Sequence, residues 1–268
     1  MREILRILIL AAAALAPQFA AAQTSVPADE LYKAETIVTG TGLSERLRGL
    51  RIGAEDVLVK LTGDASLQGT KSAGDVAEKA ADLIADYTYE DRMKDIPVHD
   101  EQGTRDRPHF LRMRFDAAKF DAALGQAGLR KWTGARPTLA VWIGISEPRG
   151  KYVLASQGDG YGQREVLKDA SKKRAIPILL PPENQSAVNY DAVAKGELAV
   201  LRPASKDLGG DAILYGLLDF DGEAHWNTRW VVAGDGVDAS WTMQGVTFDA
   251  ALKGAIDRVA AAYSARTQ

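Results

Sequence analysis

The sequence predicts two small domains, an N-terminal α+β layer and a C-terminal α/β unit built on a mixed sheet. Three observations lead there. Strand-sized apolar runs alternate with stretches in which apolar residues recur every three or four positions. The order of elements changes near residue 135, from β-α-α-β-β-α before it to β-α-β-α-β-β-β-α after it. Residues 138–145 are apolar on both faces, as a central strand covered on both sides must be. The expected division is 1–22 as a leader, 23–135 as the N-terminal domain and 136–268 as the C-terminal domain.

In the N-terminal domain, residues 31–38 read as a strand closed by Gly40 and Gly42. Ser44 then caps a helix whose stripe is Leu47, Leu50, Ala54, Val57 or Leu58, and Leu61, stopped by Gly63. A second helix starts near Ser72, with Asp75 completing a capping box and Val76, Ala80, Leu83 and Tyr87 facing inward. Strands over about 87–93 and 110–115 follow, joined by the polar stretch 94–107. Asp116 caps a third helix, which buries Phe120, Leu124 and Ala127 and ends at Gly128.

Beyond the join at 128–137 comes the central strand 138–145, with Trp132 and Trp142 expected to pack at the join. A loop containing Pro148 and several glycines leads to a helix with Val166, Leu167 and Ala170, and with Lys172, Lys173 and Arg174 in its last turn. Residues 176–180 form the next strand. Helical periodicity resumes at Ala194, Leu198, Leu201, Ala204 and Leu208, where Pro203 predicts a kink or a fresh start. Residues 212–220 form a second doubly covered strand. Turns at Asp221-Gly222 and Gly234-Asp235-Gly236 place 226–232 and 240–246 antiparallel beside it. Phe248, Leu252, Ile256, Val259 and Tyr263 define a closing helix.

Composition narrows the function classes. Lys and Arg number 33 against 36 Asp and Glu, a net charge of −3, so no basic excess exists to neutralise a nucleic acid backbone. Cysteine is absent, which excludes disulfides, thiol catalysis, thiolate metal sites and a lipoprotein anchor. Arg2 and Arg6 precede the apolar run 7–15, and Ala20-Ala21-Ala22 offers small residues before Gln23. That is a cleavable secretory signal, and it predicts a periplasmic protein without a transmembrane segment.

Several stretches then occur in a characteristic order. They are Val57-Leu58-Val59-Lys60-Leu61-Thr62-Gly63, Trp132 with Arg136-Pro137, and Leu139-Ala140-Val141-Trp142. Arg174-Ala175-Ile176-Pro177, Ala204-Ser205 and Gly210-Asp211-Ala212-Ile213-Leu214-Tyr215-Gly216 complete the set. Together they resemble an uncharacterised Gram-negative envelope family, domain of unknown function 2066, and depart from it around 182–196. The resemblance implies a periplasmic protein with no catalytic residues to carry over. The second half is also similar to small α/β domains of outer-membrane activators of peptidoglycan synthases and of the Tol system's periplasmic propeller protein, which work by contacting other proteins.

Candidate sites are few. Trp226 and Trp230 share one strand face with Trp241 on the partner strand, an arrangement that suits either a sheet–helix core or an exposed aromatic platform. Gly158, Gly160 and Gly162 precede a helix and sit near the crevice expected beyond the parallel strands, but they lack the tight turn and the lysine of a phosphate loop. Asp219, Asp221, Glu223 and His225 alternate as metal ligands on one strand face would, yet Asp221-Gly222 is a turn signal and predicts a charged hairpin tip. Arg46, Arg48 and Arg51 share a helix face with Glu45, Glu55 and Asp56, a solvated mixture. His99, His109 and His225 are the three histidines, and none stands in a hydrolase or zinc motif. The expectation is a cofactor-free, non-catalytic protein that docks onto another envelope protein. The alternatives are a small-molecule binder at the crevice by the loop 158–162, or a hydrolase whose triad is assembled only by folding.

Overall fold

The computed structural model describes residues 26–96 and 106–267, and these form an α+β and α/β fold in two parts. The leader 1–22 and His99 lie outside the described residues.

In the first part a 3-10 turn, Ala28–Tyr32, enters β1 (Lys33–Thr39), followed by α1 (Leu43–Thr62), α2 (Lys71–Ala77) and α3 (Ala80–Leu83). β2 (Ile84–Asp91), β3 (Pro108–Phe115) and α4 (Ala117–Gln126) complete it. The antiparallel sheet runs β1-β3-β2. One face carries Val38, Leu111 and Met113 against Leu50, Ala54, Val57 and Leu58 of α1. Gly49 lets the helix lie close, because a Cβ there would fall 2.7 Å from both Leu111 and Val38. The periodic stripe therefore decides which side of α1 is buried, and one glycine decides how near it comes.

Three local expectations change. α1 starts at Leu43 with Gly42 at its cap, and the Glu45 carboxylate of the first turn accepts the Thr39 N–H at 2.9 Å. α2 is capped by Thr70, whose hydroxyl accepts from Ala73; Asp75 pairs instead with Lys71, 2.7 Å away, so the box at Ser72 does not form. Tyr87 belongs to β2 and is exposed. Two ends are as expected: Asp116 accepts the Lys119 N–H at 3.0 Å, and Gly63 closes α1 at φ +75°.

The second part contains β4 (Leu139–Glu147), β5 (Gly150–Val153), α5 (Tyr161–Arg174), β6 (Ile178–Leu179), α6 (Tyr190–Lys195) and α7 (Leu198–Leu208). β7 (Ala212–Phe220), β8 (Trp226–Gly234), β9 (Val237–Val246) and α8 (Phe248–Ser264) follow. The sheet order is β5-β4-β7-β8-β9, with β6 parallel to the start of β4. β4 and β7 are parallel, and the hairpins are antiparallel. Val141, Ile143, Leu214 and Leu218 face Leu167 of α5 and Leu252, Ile256 and Val259 of α8. Trp142, Ile213 and Leu217 face Val193 of α6 and Leu201 of α7. Helices on both faces explain why β4 and β7 read as unbroken apolar runs.

β5 falls where the sequence predicts a loop, because the tight Pro148-Arg149 turn masks a hairpin strand of only four residues. Of the kink or fresh start expected at Pro203, the fresh start comes earlier, at Gly196 (φ +65°), and Pro203 sits inside α7. Trp132 packs at the join, where its backbone N–H donates to Leu61 O at 2.8 Å. Trp142 does not; its indole N–H reaches Ser205 Oγ at 2.8 Å, beneath α7. The other half of the join is Arg136. Its guanidinium lies 4.0 Å from the Trp132 ring and donates to Lys60 O at 2.6 Å and Arg174 O at 2.8 Å, at the last turns of α1 and α5. One cation thus answers the negative ends of two helices.

Candidate functional site

Where α1 and α5 meet, a cleft of about 530 Å³ opens between the two parts. Its walls are the Lys33–Glu35 end of β1, Asp86 and Thr88 of β2, Arg112 and Arg114 of β3, Asp56 and Lys60 of α1, and the last turn of α5 with Asp169, Lys172 and Lys173. Strand alternation puts Glu35, Arg112 and Thr88 side by side on the sheet face opposite α1.

β1 is an edge strand, and its odd-numbered residues turn their backbone outward. Gly40 N–H bonds to Arg107 O at 2.7 Å, which fixes the even positions as those joined to β3. Accordingly Lys33 O accepts from Lys60 Nζ at 2.5 Å and Ile37 O from Arg48 at 3.3 Å, both from α1. These side chains cover the edge at either end, as edge strands require. Glu35, between them, presents its N–H and C=O to the cleft.

Charge in the cleft is nearly balanced and mostly paired. Arg112 holds Glu35 at 2.6 Å and also Glu90; Arg114 holds Asp86; Lys173 holds Asp169 at 3.0 Å; Lys33 holds Asp29 at 2.9 Å and Glu30 at 2.5 Å. Lys172 stands 3.7 Å from Glu35. Two groups differ. Lys60, 6% exposed, donates only to backbone carbonyls, and burial brings its ammonium down to about 8. Asp56, one turn before it, makes no hydrogen bond or ion pair among the described residues. Burial raises its carboxyl, against the opposing pull of Lys173, Arg174 and Lys60. Ser171 also lines the cleft, but its hydroxyl is committed to Ile176 O at 2.6 Å. The walls therefore offer charges and a strand edge to a bound molecule.

The residues singled out from sequence lie elsewhere. Trp226, Trp230 and Trp241 do share a face, but it is the one under α8: Trp230 is 0% exposed, Trp226 is buried and Trp241 half-buried. An exposed platform is thereby corrected to core, because apolar area this large is removed from water wherever a helix can cover it. Asp221 caps its own turn, accepting from the N–H groups of Glu223 at 3.0 Å and His225 at 3.2 Å, while Asp219 accepts from the Tyr190 hydroxyl at 3.3 Å. Among the described residues no acidic or histidine group gathers as metal ligands.

Gly158, Gly160 and Gly162 line neither this cleft nor the second groove, beside Tyr215 and Arg229. Their loop is held by Arg164, which donates to the carbonyls of Ala155, Gln157, Gly158 and Asp159 at 2.8–3.2 Å. The crevice moves from the start of α5 to its end. One signal in the sequence pointed there: Lys60, a cation inside an otherwise apolar helical run.

Residues 25–133 match a domain of unknown function (DUF8605). That match spans the first sheet and α1, and with them the Glu35, Asp56 and Lys60 side of the cleft. No curated protein and no solved structure matches the chain. Among the described residues no helix is long and apolar enough to cross a membrane.

Proposed function

We propose that this is an exported binding protein of the cell envelope, non-catalytic, whose site is the cleft between its two parts. The observation that carries the reading is that cleft, about 530 Å³ in volume, which falls in the range of small-molecule sites and is lined by positioned charges and an open strand edge. Export and periplasmic location rest on the leader pattern of residues 1–22 and on the resemblance to domain of unknown function 2066. A small ligand is favoured over docking through the tryptophan hairpin, because α8 covers that face.

The test is isothermal titration of the wild type and of Thr88→Trp with short peptides, sugar phosphates and polyamines. Thr88 is exposed on the sheet face, so the larger ring narrows the cleft without entering the core. One class is expected to bind the wild type and to be lost in the variant. Binding by none of them, or equal binding to both proteins, overturns the reading. Fractionation of cells expressing the full chain should find it in the periplasm, shortened at Ala22; full-length protein in the cytoplasm removes the export half.

A further inference from the structure

We propose that the cleft takes a short zwitterionic peptide, extended along the open edge of β1, with its ammonium on Asp56 and its carboxylate on Lys172. This rests on the binding reading above and deepens it.

Three features select that chemistry. First, the lining mixes the two signs almost evenly, six basic side chains with five acidic ones. A polyanion or a polycation would meet as much repulsion as attraction, whereas a ligand carrying both signs is complementary. Second, the charges are unequally engaged. Asp56 makes no hydrogen bond or ion pair among the described residues; Lys173, Arg174 and Lys60 act on it only through their fields, and, partly withdrawn from water, it gains from a cation in direct contact. Lys172, 3.7 Å from Glu35 and largely exposed, is the most loosely held cation of the lining ion pairs and is the one free to turn to a carboxylate. Third, Glu35 offers an N–H and a C=O between the covered ends of β1. An extended peptide meets that pair as an added strand does, and an amine or a sugar without an amide backbone does not.

The experiment titrates three probes, trialanine, N-acetyl-trialanine and trialanine amide, into the wild type, Asp56→Asn, Lys172→Ala and Thr88→Trp. Trialanine should bind the wild type and fail with Thr88→Trp. Acetylation should weaken binding by roughly tenfold or more, and so should Asp56→Asn. The two losses should not add, since both remove one charge-assisted contact. The amide and Lys172→Ala should behave as a second such pair. If Asp56→Asn does not fold, the acetylated probe on the wild type tests the same contact.

The proposal is overturned, with the binding reading intact, if a sugar phosphate or polyamine binds in a Thr88-dependent manner and trialanine does not. Trialanine binding that ignores both the acetyl group and Asp56→Asn overturns it as well. Absence of binding by every probe removes both.

Discussion

At the residue scale, Lys60 shows how one side chain can serve structure and carry a pH dependence. Its Nζ secures the carbonyls of Lys33 and Glu30 across the entry to β1, and burial lowers its pKa from the ordinary 10.5 to about 8 despite the favourable fields of Asp56 and Glu30. Arg136 and Lys172 push in the same direction as burial. A lowered pKa means that between about 8 and 10.5 the unfolded chain holds a proton that the folded chain does not. Stability conferred at this site therefore rises with pH across that window. Lys60→Met removes the dependence. The melting temperature of the wild type relative to that variant should climb between pH 7.5 and 9.5, and a constant difference would show that the ammonium is not desolvated. Legibility at this scale was uneven. Asp116 and Gly63 announced their roles because caps depend on neighbours a few residues away. Asp56 looked like one more charge on a solvated face, because α5, which partly buries it, lies more than a hundred positions along the chain.

At the scale of elements, the start of α5 is the clearest case of sequence and structure parting. Five residues with three glycines read as a loop beside the expected crevice. Arg164, buried one turn into the helix, gathers four loop carbonyls and makes that loop a fixed corner. Its charge is spread over backbone acceptors, which is why it tolerates burial without a carboxylate. Replacing it by Met leaves those carbonyls without donors in a poorly hydrated place. The expected cost is about 2–3 kcal/mol in chemical denaturation, with faster hydrogen exchange across residues 155–160 than elsewhere in the second sheet. Unchanged exchange there would mean that the loop holds itself. β5 and the α6–α7 break were missed for a related reason. A strand of four residues and a helix of six are too short to show a period, and what defines them is the β4 edge and Gly196 at φ +65°.

At the scale of the whole molecule, two separate cores are coupled through a small join. Trp132 bonds to the end of α1 while belonging to the second core, and Arg136 spans the C-termini of α1 and α5. Burial lowers the Arg136 guanidinium to about 10. Gly63 matters for the same reason, since a Cβ there would come within 2.6 Å of Ser264. Arg136→Met should lower the unfolding temperature of the first part more than that of the second. Calorimetry should then show two transitions lying further apart than in the wild type, and a parallel shift of both would place the coupling elsewhere. The same variant should weaken any ligand held in the cleft, because the cleft walls belong to both parts.

What the chain alone determined is the set of helices and strands with a clear period, the two-part division and the chemistry that its composition rules out. Those properties depend on nearest neighbours and on averages. Which face of the tryptophan hairpin is covered, where the cleft lies and that Asp56 of its lining has no ion pair among the described residues were decided only when α8 settled on the second sheet and α5 came to rest beside α1. Desolvation and charge pairing act between groups brought close in space, and separation along the chain carries almost no information about that proximity.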